Sequence, residues 1–190
     1  MGGVKPRRNA QETRRRILQS ARAAFARLGY AGAGVREIAQ GAGVTAMLVN
    51  RYFGSKEGLF AEVVAASMAD PHILTAQNLQ SPEAARRMAE ALVRITATGV
   101  NPLDGFLILL HSTASQRAAE IGRAEIEKAH LKTMTEALSG PDAATRAALI
   151  LSLVAGFQVM RQMIQLPPLA QTDPTELEEL LTRVLKALLQ

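Results

Sequence analysis

The stretch Val35–Lys56, VREIAQGAGVTAMLVNRYFGSK, leaves the chain few ways to fold. Val35, Ile38, Val44, Val49 and Phe53 form an apolar set at helical spacing. Gly43 interrupts it, where a residue without Cβ takes up positive φ at no steric cost. Ala39, just before, keeps the first helix thin enough for a second to approach, and Val49 lies on the inward face of that second helix. The spacing predicts two helices, Val35–Ala42 and Thr45–Phe53, joined by a sharp turn. This is the helix-turn-helix pattern, whose second helix is normally the one that enters a DNA major groove. An ordinary helix hairpin shares the Ala-Gly-Val spacing, and the neighbouring charge is what separates the two.

The outward residues of the second helix are Thr45, Ala46, Met47, Leu48, Asn50, Arg51 and Tyr52. Thr45 is suited to cap the helix and to donate to a phosphate. Asn50 and Arg51 carry donors for base edges or phosphates, and Met47 and Leu48 are suited to a thymine methyl. Tyr52 offers its hydroxyl to the DNA backbone. Gly54 ends the helix, Ser55 caps the next, and Lys56 stands in its first turn to meet a phosphate. Arg36 is a further phosphate candidate.

Charge is unevenly spread. Residues 1–60 hold eleven Lys/Arg and three acids, a net of +8, whereas residues 61–190 hold eleven basic and fourteen acidic residues, a net of −3. A basic head on a mildly acidic body suggests a polyanion-binding module. A solvated basic face and a basic membrane-surface helix are the alternatives. Apolar residues make up 48% of the chain and aromatics 4%, with abundant Ala and Leu, which favours helices throughout over a sheet. There is no cysteine, hence no disulfide or thiolate chemistry. Apolar runs such as Phe106–Leu110 fall far short of the roughly 20 residues of a spanning helix. The basic N-terminus lacks the apolar stretch of a signal peptide. The expectation is a cytoplasmic protein with no membrane partner.

Met1–Gln11 reads as a flexible basic arm. Thr13–Leu28 is an amphipathic helix with Ile17, Ala21, Phe25 and Leu28 along one face and Arg14, Arg15 and Arg16 crowding its first turn. Gly29 ends it, and residues 31–34 form a loop. These blocks, TRRRILQSARAAFARLGY, VREIAQGAGV and RYFGSKEGLF, agree in order and spacing over Thr13–Val63, and there the chain resembles the TetR family of bacterial transcriptional repressors. The resemblance implies a homodimer that binds a double-stranded DNA operator through a recognition helix over Thr45–Tyr52. It also implies an effector that shifts the spacing of the two recognition helices. Gly34 stands where the family usually has a capping Ser or Thr, Ala46 replaces a frequent Lys, and Asn50 a frequent Tyr.

The body reads as further helices. These are Ser55–Ala69, broken by Asp70-Pro71; a helix from Ser81-Pro82 to about Thr98; and a loop at Gly99–Pro102. An apolar helix Leu103–Ser115, buried on most sides, follows, then Ala118–Leu138, then Asp142–Leu166 ended by Pro167-Pro168. The last helix is capped by Asp173-Pro174-Thr175-Glu176. The last two helices carry stripes expected at a two-fold interface: Leu149, Leu153, Gly156 and Met160, with Leu177, Leu181, Val184 and Leu188. In the families this chain resembles, these helices form a four-helix dimer interface. The alternative is that the stripes close the protomer's own core. Met68, Leu92, Phe106, His111, Met134, Phe157 and Met160 are candidates to line an effector site, although each taken singly reads as plain core.

Glu127 and His130 make a Glu-x-x-His pair, half of a di-iron helical motif, but His72 and His111 supply no second half. No nucleophile triad or phosphate-cradling loop is evident, so no enzyme, metal or cofactor is expected. The sequence therefore predicts an all-α chain. Residues 1–55 form an N-terminal arm and a three-helix helix-turn-helix DNA-binding domain, and 56–190 a helical bundle for dimerisation and an unidentified small-molecule effector.

Overall fold

The computed structural model describes residues 5–68, 79, 81–97 and 104–190. The expected breaks at Asp70-Pro71 and Gly99–Pro102, and His72, lie outside them. Among the described residues every regular element is a helix. The chain divides into two compact units, residues 1–69 with 104–125 and residues 70–103 with 126–190.

The first unit is built on α1 (Lys5–Gly32), α2 (Val35–Gly41), α3 (Ala46–Phe53), α4 (Lys56–Met68), α5 (Asp104–Ser112) and most of α6 (Gln116–Ile126). The basic N-terminal segment, expected as a flexible arm up to Gln11, is helical from Lys5. Ile17, Ala21 and Phe25 of α1 are buried together, as their spacing predicts. Leu28 is not: it is 39% exposed, because the backbone departs from helix at the next residue, Gly29 (φ 64°, ψ 179°). Phe25, Tyr30 and Phe60 form an aromatic centre, with ring centroids about 5 Å apart for the two pairs that include Phe60. Leu59, Phe60, Val63 and Val64 of α4 join the same core as Ile38, Ala39, Val49 and Phe53, so this compact unit continues past residue 55.

Helix α5 is less buried than its sequence predicts. Ile108 is fully covered, but Leu110 and His111 are exposed. Its end is tied to α1: Tyr30 N donates to Ser112 Oγ at 2.9 Å, and His111 Nδ1 lies 2.6 Å from Ala26 O.

The second unit holds α7 (Ala84–Ile95), α8 (Lys132–Ala137), α9 (Ala143–Gln158), the short α10 (Pro167–Ala170) and α11 (Pro174–Leu189). π-helical turns, Glu127–Leu131 and Val159–Met163, precede α8 and follow α9. The first α-helical residue after Ser81-Pro82 is Ala84, because Ser81 Oγ accepts from Glu83 N and residues 82–83 form a turn. Pro167-Pro168 opens α10, where a missing N–H costs nothing. Asp173 caps α11 by accepting from Thr175 N at 2.9 Å. Met88, Leu92, Met134, Ile150, Phe157, Leu177, Leu181 and Leu185 make the core.

Leu177 and Leu181, expected on the stripe, are buried in this core, and the open side of α11 carries Leu180 and Val184. Residues Ala143–Met163 form a 21-residue helical run whose most apolar 18-residue window has a mean hydropathy of 1.6, with 22% of that window buried. By length and composition alone it is long and apolar enough to cross a membrane. A core helix passes the same test, and Ala147, Ile150 and Phe157 pack into the second core.

Candidate nucleic-acid interface

The local sequence explains why α3 is held outward. Ala39 is 2% exposed and Val49 1%, so a small side chain on α2 meets an apolar one on α3. Gly43 takes φ 65° at the turn, and Val44 N donates back to Ala39 O at 2.9 Å. Thr45 Oγ1 accepts from Leu48 N at 3.3 Å and starts α3, while Gly54 (φ 74°) stops it. Ser55 Oγ then accepts from Gly58 N at 3.2 Å at the start of α4.

Each residue expected at the interface has a defined place. Met47 is 80% exposed, and Asn50, Arg51, Thr45 and Arg36 are also on the surface. Ala46, Leu48 and Tyr52 are half-buried, and Ala46 and Tyr52 lean on the core that holds α3. The Lys56 ammonium sits 4.6 Å from the centre of the Tyr30 ring, and partial burial lowers its pKa from the usual lysine value. Gly34 caps α2 without a side-chain hydrogen bond.

Among the described residues Arg16, Arg36 and Arg51 form no ion pair. Arg14 pairs with Glu62 and lies over the Phe53 ring, Arg15 pairs with Glu12, and Arg27 with Glu37. Between α1 and α2 lies a cleft of about 820 Å³ bordered by Arg15, Arg16, Arg27, Glu37 and Gly43. None of the residues expected around an effector lines it.

The expected effector residues are divided between the units. Met68, Phe106 and His111 belong to the first. Leu92, Met134, Phe157 and Met160 belong to the second. His111 is not a core histidine but an exposed one held to α1. Leu92 and Met134 are fully covered by their own core, and Met160 is 45% exposed. Glu127 and His130 lie in a π-helical turn, and no group of three His, Cys, Asp or Glu is placed to hold a metal among the described residues. His130 Nδ1 is buried without a partner, and burial lowers its pKa. Sequence reasoning missed Arg161, whose signal was its isolation: it is the only charged residue between Arg146 and Asp173. Ile164 and Leu180 also lie on the open stripe; they are 61% and 44% exposed.

A short helix capped at its start, fixed by a positive-φ turn and backed by unpaired cations defines a helix-turn-helix DNA-binding regulator of transcription. Residues 17–63 match the bacterial regulatory proteins of the tetR family, and residues 83–189 match the tetracyclin repressor-like C-terminal domain. The chain belongs to the TetR family, whose members are DNA-binding transcription factors and not enzymes. Solved structures repeat the fold. A TetR-family regulator from Streptomyces coelicolor is 23% identical, with 99% of each chain covered and a TM-score of 0.62. NalD of Pseudomonas aeruginosa, secondary repressor of the MexAB-OprM multidrug efflux pump, is 19% identical over 94% of this chain and 97% of that one, with a TM-score of 0.60. The fatty acid degradation regulator FadR of Bacillus halodurans is 17% identical over 90% and 96%, with a TM-score of 0.63. At these identities the likeness is one of fold. No curated protein sequence matches the chain.

Proposed function

We propose that the chain is a homodimeric repressor, seated on a palindromic operator by two copies of α3 and released when a small-molecule effector binds the second unit. The observation that carries the DNA half is the outward set on α3: Met47, Asn50 and Arg51 stand free while Val49 and Phe53 anchor the helix. In this reading Arg36, Thr45, Tyr52 and Lys56 meet phosphates. Asn50 and Arg51, with Met47 and Leu48, read bases, and Ala46 lets the helix approach closely. Residues 1–55 then serve DNA binding, and 56–190 dimerisation and effector binding.

Support for the homodimer comes from an uncovered apolar stripe. Leu149, Gly156, Met160 and Ile164 lie exposed after Ala143, and Leu180 and Val184 on α11. Leu153 and Leu188 are half-buried at its margin. A Cβ added at Gly156 meets nothing within 4 Å, so that face has room for another helix. A two-fold axis pairs such a stripe with its own copy. The repressor role is carried over from NalD, which has that role in its own organism.

Selection of genomic fragments by the purified chain tests the reading. A palindromic consensus, bound by a dimer with affinity falling steeply as salt rises, is the expected result. A monomer, or indifference to every palindrome at low ionic strength, overturns it.

A further inference from the structure

Arg161 is 8% exposed and lies in the π-helical turn that follows α9. Its Nη1 donates to Val93 O at 2.7 Å and to Thr96 Oγ1 at 2.8 Å, and its Nε donates to Leu169 O at 3.1 Å. The guanidinium carbon is 5.8 Å from the centre of the Phe157 ring. All three acceptors are neutral. Among the described residues no carboxylate is paired with Arg161, and its Nη2 donates to none of them.

Val93 O is a last-turn carbonyl of α7 and Thr96 is that helix's C-cap, so the helix dipole offsets part of the charge. It does not offset all of it: burial still lowers the Arg161 pKa. The π-helical turn gives the neighbouring side chain the same target, since Gln162 Nε2 donates to Ile95 O at 3.2 Å. Two adjacent residues therefore clamp one helix end, and the guanidinium is locked in orientation with one edge unused. A locked planar cation in an apolar setting is poorly served by neutral acceptors and well served by a carboxylate.

We propose that Arg161 anchors the acid group of an apolar monocarboxylate effector, which sits in the second unit with a carboxylate oxygen on Nη2. This rests on the effector reading given above and names the chemistry of that ligand. One free edge suits one acid group, and the Phe157 ring beside the guanidinium suits an apolar remainder.

The test uses the full chain and straight-chain monocarboxylates from butanoate to hexadecanoate, with benzoate, each set against the matching alcohol and amine. Thermal shift reads binding without DNA, and operator fluorescence anisotropy reads release. At least one carboxylate is expected to stabilise the protein and weaken operator binding, with the matching alcohol weaker by about tenfold. Arg161→Met, folded by circular dichroism, is expected to bind operator and to lose that preference. If Arg161→Met does not fold, Arg161→Gln carries the comparison, because its amide keeps a donor for Val93 O.

A carboxylate preference that survives either folded variant overturns the proposal. So does a wild-type protein that prefers the alcohols or amines, or responds to nothing in the set. Those results leave the DNA-binding reading standing, which fails only if the ligand-free protein binds no operator.

Discussion

Gly29→Ala tests how α1 and α5 are joined. Gly29 has φ 64° and ψ 179°, a region that only glycine occupies readily, and an L side chain there costs about 1–3 kcal/mol. A Cβ at this position lies 2.2 Å from His111 O and 2.9 Å from His111 C. Both are backbone atoms, so no rotamer change relieves the overlap, and α5 must withdraw by about 1 Å or more to reach normal contact. That withdrawal strains the Tyr30 N–Ser112 Oγ and His111 Nδ1–Ala26 O hydrogen bonds, each worth about 1 kcal/mol. The expected loss is about 3–5 kcal/mol, a large part of the roughly 5–15 kcal/mol that holds a domain together. Gly43→Ala is the control. Its φ is 65°, but the nearest heavy atom to its Cβ is the movable Arg16 Nη1 at 3.5 Å, so only backbone strain of about 1 kcal/mol applies. Urea unfolding followed by circular dichroism measures both. If the two substitutions cost the same within about 0.5 kcal/mol, the close packing of α5 on Gly29 contributes nothing and the argument fails.

Other substitutions probe the rest of the molecule. Gly34→Ser supplies the cap that α2 lacks, in open space, and should raise stability by about 0.3 kcal/mol in the same urea assay; a loss refutes the cap geometry. Arg51→Ala should cost about 1–3 kcal/mol of operator binding by anisotropy, and an equal loss on every DNA sequence makes Arg51 a phosphate contact only. Val184→Glu, at a position 49% exposed, should leave the protomer folded but weaken association by more than about 3 kcal/mol in sedimentation equilibrium; an intact dimer refutes the stripe. His130→Gln addresses pH. Burial depresses the folded-state pKa of His130, so above its unfolded value of about 6.5 both states are neutral. As pH falls through that value the unfolded chain takes the proton first, and stability is lost down to the lower folded pKa. The fall in melting temperature from about pH 7 to about pH 5.5 should therefore be shallower in His130→Gln, and an identical fall refutes the assignment.

The helix-turn-helix was legible because each of its constraints is local. Ala39, Gly43, Thr45 and Gly54 act within a few residues of themselves, and spacing alone places them. α11 shows where such reading stops. Leu177, Leu181 and Leu185 form one apolar row and Leu180 and Val184 another, both at helical spacing. Periodicity marks the two rows but carries no information on which is covered by α7; tertiary packing decides that. The effector residues were harder still. Their selection by residue type treats core and pocket alike, and Leu92 and Met134 proved to be core. Arg161 was invisible for a related reason: a π-helical turn shifts the register of a helix by one residue, and nothing in the local sequence announces it.

Formal charge is a similarly incomplete guide to what α1 offers a phosphate backbone. The Arg15–Glu12 pair is exposed on both sides, and such a pair is worth about 0–1 kcal/mol. A phosphate competes for Arg15 on nearly equal terms, because the fork it offers is at least as well matched. Arg14 differs, since it is held by Glu62 from α4 and also lies over the Phe53 ring at the end of α3. Drawing it away exposes the edge of the core that fixes α3. The basic head therefore carries two kinds of arginine within one helical turn. Arg14 braces α3 from behind, whereas Arg15 and Arg16 keep their charge available to a polyanion, so the salt dependence of binding should count the latter and not the former.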